Sequence, residues 1–309
     1  MIFQVKGPMA KAGLKRVFLS LIVISFFGLP YHVMADTDGA EIDEESEEER
    51  NWELMLGGAA EWSPAYTGAD DLELSPMPLI MASYSFSTWR LFVDLDKAGV
   101  EIDLGSNLLT FHAGLDGVGA EVKFLRKLPI TLAAEVGKGD DRDNDDSDML
   151  KGTPSIKNKY WYLGRFGVDL PLDIELSAEV KFSSFTAAYD EAEREDRDYF
   201  GRLWSVNANR EWELSFFMFE LEAGCTWMDR DYAEAMYSVF YPTANYGSYD
   251  ARGGLHDAHL SVTTIAPLGE HFGLIALFEG MYLLGDAADS PITRNQLQPT
   301  ISVGGFFIF

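Results

Sequence analysis

Three places in the chain hold the residue types that chemistry needs. His256-Asp257-Ala258-His259 sets two imidazoles around a carboxylate, the ingredients of a metal pair or of a hydrolase relay. Asp141, Asp143 and Asp145, within the run Asp140 to Asp148, have the alternate spacing that opens an EF-hand calcium loop. His112 is a third titratable candidate. Each weakens in context. On a strand, a spacing of three sends His256 and His259 to opposite faces, where they cannot share an ion. In the acidic run, Asp146 stands where the turn glycine belongs and Gly152 where the bidentate glutamate belongs, while Lys138, Arg142 and Lys151 dilute the charge. That run reads as a solvated loop, with weak divalent binding shared with lipopolysaccharide phosphates as the alternative. Asp190 to Asp198 reads the same way. No Ser or carboxylate stands at a fixed spacing from His112 to mark a triad. The expectation is a protein with no catalytic residue, no cofactor and no resident metal.

The elements that must carry these residues are strands. From Trp52 onward the chain shows runs of about ten residues with period-two alternation, separated by Gly, Asp, Pro and Ser clusters. In Leu172 to Ser183 the apolar set Leu172, Ile174, Leu176, Ala178, Val180 and Phe182 alternates with Asp173, Glu175, Ser177, Glu179, Lys181 and Ser183. Tyr160 to Leu170 and Trp52 to Trp62 alternate likewise. Trp52 and Trp62 lie on one apolar face at about the span of a tilted membrane strand, as the aromatic girdles of a barrel require. The chain ends on Ile301, Val303, Phe307 and Phe309, alternating apolar positions that resemble an outer-membrane sorting and assembly signal; an uncovered strand of this kind would be an aggregation risk in a soluble protein. The expected fold is an all-β, antiparallel, up-and-down transmembrane β-barrel.

Twelve strands are expected, near 52–63, 75–86, 89–102, 108–125, 130–137, 156–170, 172–184, 199–208, 215–227, 256–266, 272–284 and 297–309. Gly114, Gly117 and Gly119 could split the fourth. The connections then alternate, long and polar at one end and short at the other, with 103–107 the one short member of the long set. The expected lumen face carries Glu53, Glu61, Arg90, Glu135, Arg165, Glu179, Lys181, Arg202, Glu220, Glu222 and Glu279, a mixed charge that suits either a pore lining or an ion-pair filling.

Ahead of the barrel region (51–309), residues 1–35 read as a cleavable export signal. Lys6, Lys11, Lys15 and Arg16 precede the apolar Val17 to Leu29, and Val33-Met34-Ala35 offers a cleavage site. The apolar stretch falls short of the roughly 20 residues of a spanning helix. Residues 36–50, with nine acids and one Arg, read as a disordered periplasmic tail. Loss of 1–35 takes the formal charge of the 309-residue chain from −26 to −30, because it removes four basic residues and no acidic one. A chain this acidic excludes nucleic acid as a partner. The one cysteine, Cys225, forms no internal disulfide.

Gly57-Gly58, Ser63 to Asp70, Pro76 to Ile80, Trp227 to Tyr232 with Tyr237 and Val239, Tyr249 to Leu255 with Asp257, and Leu284 to Ile292 stand in that order along the chain. Together these segments resemble the MipA/OmpV family of outer-membrane proteins. The positions that carry the loop motifs are Ser63, Pro64, Tyr66, Gly68, Trp227, Tyr232, Gly285, Asp286, Asp289, Ser290 and Pro291. The match runs from residue 57 to 309; Asn107 to Asp198 follows only in outline, and the acidic tail is no part of it. The resemblance implies a non-enzymatic barrel in the outer membrane of a Gram-negative bacterium, among its lipids and lipopolysaccharide. It further implies a scaffold that joins a lytic transglycosylase to a peptidoglycan synthase, with a narrow channel, a porin or a surface adhesin as alternatives. It brings no catalytic residues. On physical grounds, Asp286 and Asp289 suit Asx-type turns, and Pro291 fixes the return into the last strand.

Overall fold

Alternation of this kind buries one strand face and leaves the other apolar and outward, and the lone edges of the first and last strands must then pair. The computed structural model bears this out. It describes residues 52–93, 97–114, 117–125, 129–139, 141–143, 150, 153–188, 196–214, 216–242 and 246–309. The expected export signal and acidic tail lie outside the described residues, as does most of the two acidic runs.

Fourteen strands are described. They are β1 (Trp52–Pro64), β2 (Leu72–Phe86), β3 (Trp89–Val93), β4 (Lys97–Asp103), β5 (Asn107–Gly114), β6 (Gly117–Phe124) and β7 (Ile130–Gly137). After them come β8 (Ser155–Leu170), β9 (Ile174–Ala188), β10 (Arg197–Leu214), β11 (Phe217–Met228), β12 (Gly254–Pro267), β13 (Phe272–Leu283) and β14 (Leu297–Ile308). Each pairs antiparallel with its chain neighbours, and β1 closes on β14 from Met55↔Ile308 to Trp62↔Ile301. Two short helices, α1 (Arg230–Tyr237) and α2 (Gly285–Asp289), sit in the last two long loops.

The expected count of twelve is corrected to fourteen because two runs fold back on themselves. The run 89–102 divides between Val93 and Lys97, flanking Asp94-Leu95-Asp96, and its halves pair as Val93↔Ala98. The run 108–125 divides between Gly114 and Gly117, with Ala113↔Val118 the last pair before the reversal. Both halves alternate, so periodicity alone could not see the break; Gly114 and Gly117 flank the second reversal. The correction also moves the 103–107 connection to the short-turn end, while the two new reversals, after Val93 and after Gly114, are short connections at the long-loop end. The loop asymmetry is therefore carried by the β1–β2 connection and by those from β7 onward. Strands β3 to β7 hold 5 to 8 residues, whereas β8 to β10 hold 15 to 18, so the wall is low on one side.

Outward faces form an apolar belt between two aromatic girdles. At the short-turn end Trp212 stacks on Phe219 at 5.6 Å and Phe272 meets Phe307 at 5.2 Å. Toward the long loops Phe182 stacks on Phe200 at 6.0 Å, and Tyr160 meets Tyr162 edge-on at 5.6 Å. Trp52 and Trp62 are exposed on the outer face, one near each end. Ile301, Val303 and Phe307 point outward on β14, and the Phe309 backbone N–H donates to Leu54 O at 2.9 Å. Arg202, expected in the lumen, instead shares the outer parity of Phe200 and Trp204 and pairs with Asp229 at 3.3 Å.

Candidate functional site

The interior of the barrel is where charged and polar side chains gather, and it has two unlike walls. On one side, near the short turns, Leu79, Ile275 and Phe306 bury one another with Met55, Met77 and Ile265 around them. Gly273 makes room for the Phe306 ring, since a Cβ there would stand 2.3 Å from the ring tip. The other side is charged. Arg165 binds Glu175 at 2.6 Å and Glu179 at 3.7 Å, Lys123 binds Asp169 at 2.8 Å, Arg90 binds Glu101 at 3.5 Å, and His112 lies 3.5 Å from Glu135. Asn209 Nδ2 donates to Glu220 at 2.6 Å.

Over the long-loop mouth the connections converge. Tyr66 of the β1–β2 loop buries with Ala65 and Ala69 against Leu150 of the β7–β8 loop, although the strands that launch these loops stand on different sides of the barrel. The Tyr66 hydroxyl donates to Ile292 O at 3.2 Å, and Arg142 Nη1 donates to Met236 O at 2.8 Å. The Gly68 N–H donates to Gln298 Oε1 at 2.8 Å, and its φ of 104° is one that glycine adopts without strain. Helix α1 starts where Asp229 accepts the Tyr232 N–H at 2.9 Å, an N-cap. It lies against Gly201, where a Cβ would come within 2.7 Å of Tyr232. Asp286 accepts the Arg252 N–H at 2.5 Å, and the Ser290 hydroxyl donates to Tyr237 O at 2.6 Å.

The loop-motif residues are thus gathered mostly into one packed cap. Tyr66, Gly68, Tyr232, Gly285, Asp286 and Ser290 take part, with Asp289 and Pro291 flanking Ser290; Ser63 and Pro64 close β1, and Trp227 faces outward in the girdle. Burial pushes the Tyr66 and Tyr232 phenols up to about 12 and holds Tyr237 well above its ordinary value.

A polar chain descends from the cap into the lumen. Tyr237 Oη stands 2.7 Å from His256 Nε2, and His256 Nδ1 stands 2.5 Å from Asp257 Oδ2. Asp257 Oδ1 meets His259 Nδ1 at 2.7 Å, and His259 Nε2 faces Asn207 Oδ1 at 3.1 Å. Spacing alone placed the two histidines on opposite faces, and that expectation is corrected. Thr226 pairs with Asp257 while Trp227 pairs with Leu255, so His256 is the extra residue of a β-bulge that turns its ring inward. The bulged carbonyl is satisfied by the Leu284 N–H at 2.8 Å. Tyr237, His256 and Asp257 are 2, 6 and 3% exposed, which suits a strut better than a nucleophile that must meet substrate. Among the described residues no three His, Cys, Asp or Glu side chains are arranged to hold a metal ion. Sequence reasoning missed Arg142, Leu150, Asn207 and Gln298; Gly253-Gly254, at φ 91° and 125° just before the bulge, was the available signal.

The family model described as "MltA-interacting protein MipA" matches residues 56–309. Comparison with curated proteins found no match. Among solved structures, the chain is similar to the outer-membrane expressed OmpT of Vibrio cholerae, at 6% identity over 84% of this chain and 97% of that one, TM-score 0.41. It is similar to Salmonella typhi OmpF in complex with daunomycin, at 9% identity over 84% and 97%, TM-score 0.43. It is also similar to the anion-selective porin from Comamonas acidovorans, at 8% identity over 84% and 98%, TM-score 0.42. Superpositions this loose carry nothing about function.

Proposed function

The chain belongs to the MltA-interacting protein MipA family, and from that premise we propose that it is a non-enzymatic interaction barrel that docks peptidoglycan-turnover enzymes on the inner face of the outer membrane. It is a β-barrel of the Gram-negative outer membrane. The family description supports a lytic transglycosylase as first partner, and a peptidoglycan synthase is the second partner of the scaffold. The observation that carries the reading is the state of the short turns, which face the periplasm when the long loops face outward. Leu104, Leu125, Leu172, Phe216 and Leu268 stand exposed within them. Leu172 is 72% exposed and held at a φ of 73°, a left-handed conformation that costs a leucine roughly 1–2 kcal/mol. Strain kept at an exposed apolar tip fits an interaction surface.

Ahead of the barrel, residues 1–35 act as the export signal and 36–50 as an acidic periplasmic tail that adds salt-sensitive attraction to a basic partner. The loop-motif positions build the cap, and Ile301, Val303, Phe307 and Phe309 guide insertion. The test is capture of a lytic transglycosylase from detergent extract by the folded chain and by L104S/L172S. The double variant loses most of the capture while keeping heat-modifiable mobility; undiminished capture would refute the docking surface. A second reading, a narrow channel that prefers cations, is favoured by the acidic side of the lumen.

A further inference from the structure

Cross-strand pairing on β10 to β13 brings a strip of carboxylates together inside the barrel. Glu211 of β10 lies directly opposite Glu220 of β11, and Glu222, two residues further along the same inward face, pairs with Ser261 of β12. Ser261 in turn pairs with Glu279 of β13. Like charges opposite one another destabilise a sheet unless a counter-charge intervenes. Few basic groups stand beside the strip: Arg165 is shared between Glu175 and Glu179, and His259 bonds Asp257 at 2.7 Å and pairs more loosely with Glu222 at 3.9 Å, while Glu220 accepts from the neutral Asn209 amide at 2.6 Å.

A second observation points into the same strip. Thr263, the direct partner of Glu220 across β11 and β12, faces the lumen, is only 4% exposed, and its hydroxyl oxygen has no hydrogen-bond partner among the described residues. A buried hydroxyl left unpaired costs about 1–3 kcal/mol, so its position calls for a donor or acceptor from outside the chain. On its other side Thr263 pairs with Leu277, which begins the apolar wall that Ile265 and Ile275 continue toward the periplasm. Acid and hydrocarbon therefore adjoin along one track.

We propose that this strip is a binding site for a linear aliphatic polyamine entering from the periplasmic end. Directly opposite side chains lie about 5 Å apart and diagonal ones about 7 Å, a spacing that ammonium groups separated by short methylene spacers can follow. The methylenes lie along Leu277, Ile265 and Ile275, an ammonium N–H donates to Thr263, and Glu220 and Glu222 take the charge. A single metal ion fits less well, since no three metal-ligating side chains converge among the described residues. The inference does not depend on the docking role proposed for the turns.

The test is calorimetric titration of the full chain, refolded in detergent, with spermidine, alone and against magnesium chloride at matched ionic strength. Saturable spermidine binding is expected, at least tenfold weaker in E220Q/E222Q and several-fold weaker in Thr263→Val, with heat-modifiable mobility unchanged in both. Magnesium is expected not to displace it. Absence of saturable binding, equal affinity in E220Q/E222Q, or displacement by magnesium at comparable concentration would each overturn the proposal.

Discussion

At the long-loop end Tyr66, Leu150, Tyr237 and Ile292 are buried among loop side chains, whereas at the short-turn end Leu104, Leu172, Phe216 and Leu268 stand exposed on turns of a few residues. The same kinds of apolar side chain do opposite work. In the cap each large side chain contributes roughly 1.5–3 kcal/mol by leaving water, and the hydrogen bonds from Tyr66, Ser290 and Arg142 tie loops from different sides of the barrel to one another. In the turns no such contribution accrues, and Leu172 bears backbone strain besides. The long-loop end is built to stay shut, while the short-turn end keeps its apolar groups available.

Substitutions should therefore act very differently at the two ends. Tyr237→Ala removes a fully packed ring and the partner of His256, and an aromatic-to-alanine change in a core costs about 3–5 kcal/mol. It is expected to expose the loop at 229–253 to limited proteolysis, while Leu172→Ala leaves proteolysis and heat-modifiable mobility unchanged. Equal sensitivity at both sites would erase the distinction.

Alkaline titration sharpens it further. The Tyr66 phenol, buried under the cap, is pushed up to about 12 from an ordinary 10.0. A group raised on folding contributes fully below its unfolded value and loses that contribution as pH rises through the folded one. The cap should hold up to about pH 10 and loosen as pH approaches 12, seen as a late rise in tyrosinate absorbance together with new protease cleavage in the loops. Loosening that follows ordinary tyrosine ionisation, with no delay, would contradict the burial.

The smallest effect is expected at Leu172→Gly. Glycine adopts the left-handed conformation freely, so the barrel should gain about 1 kcal/mol against denaturant while capture of a lytic transglycosylase weakens. A loss of stability there would mean that the leucine packs against something and is no free tip.

The wall between the two ends was largely legible in the sequence. Trp52 and Trp62, the run from Ile174 to Ser183 and the terminal Ile301 and Val303 all face as alternation requires, because a side chain's face on a regular strand follows from counting by two. Leu172 and Asp173, expected on that strand, lie instead in the turn before it. Counting fails where the backbone departs from that rule. The bulge at His256 adds one residue and flips a ring inward, and the reversals after Val93 and Gly114 turn two apparent strands into four. The cap was legible only as separate motifs. Nothing local says that Tyr66 meets Leu150 or that Gln298 receives Gly68, since those contacts depend on which loops the closed barrel brings over one mouth.

The claim that the long-loop mouth is covered is tested most directly by single-channel recording of the refolded chain in planar bilayers, alongside a variant in which residues 230–252 are replaced by a short Gly/Ser turn. The account predicts that the intact barrel shows no steady ohmic conductance at low voltage and that the shortened variant conducts, with cations preferred because carboxylates dominate the lumen beneath. A stable, open, porin-like conductance from the intact chain would contradict it.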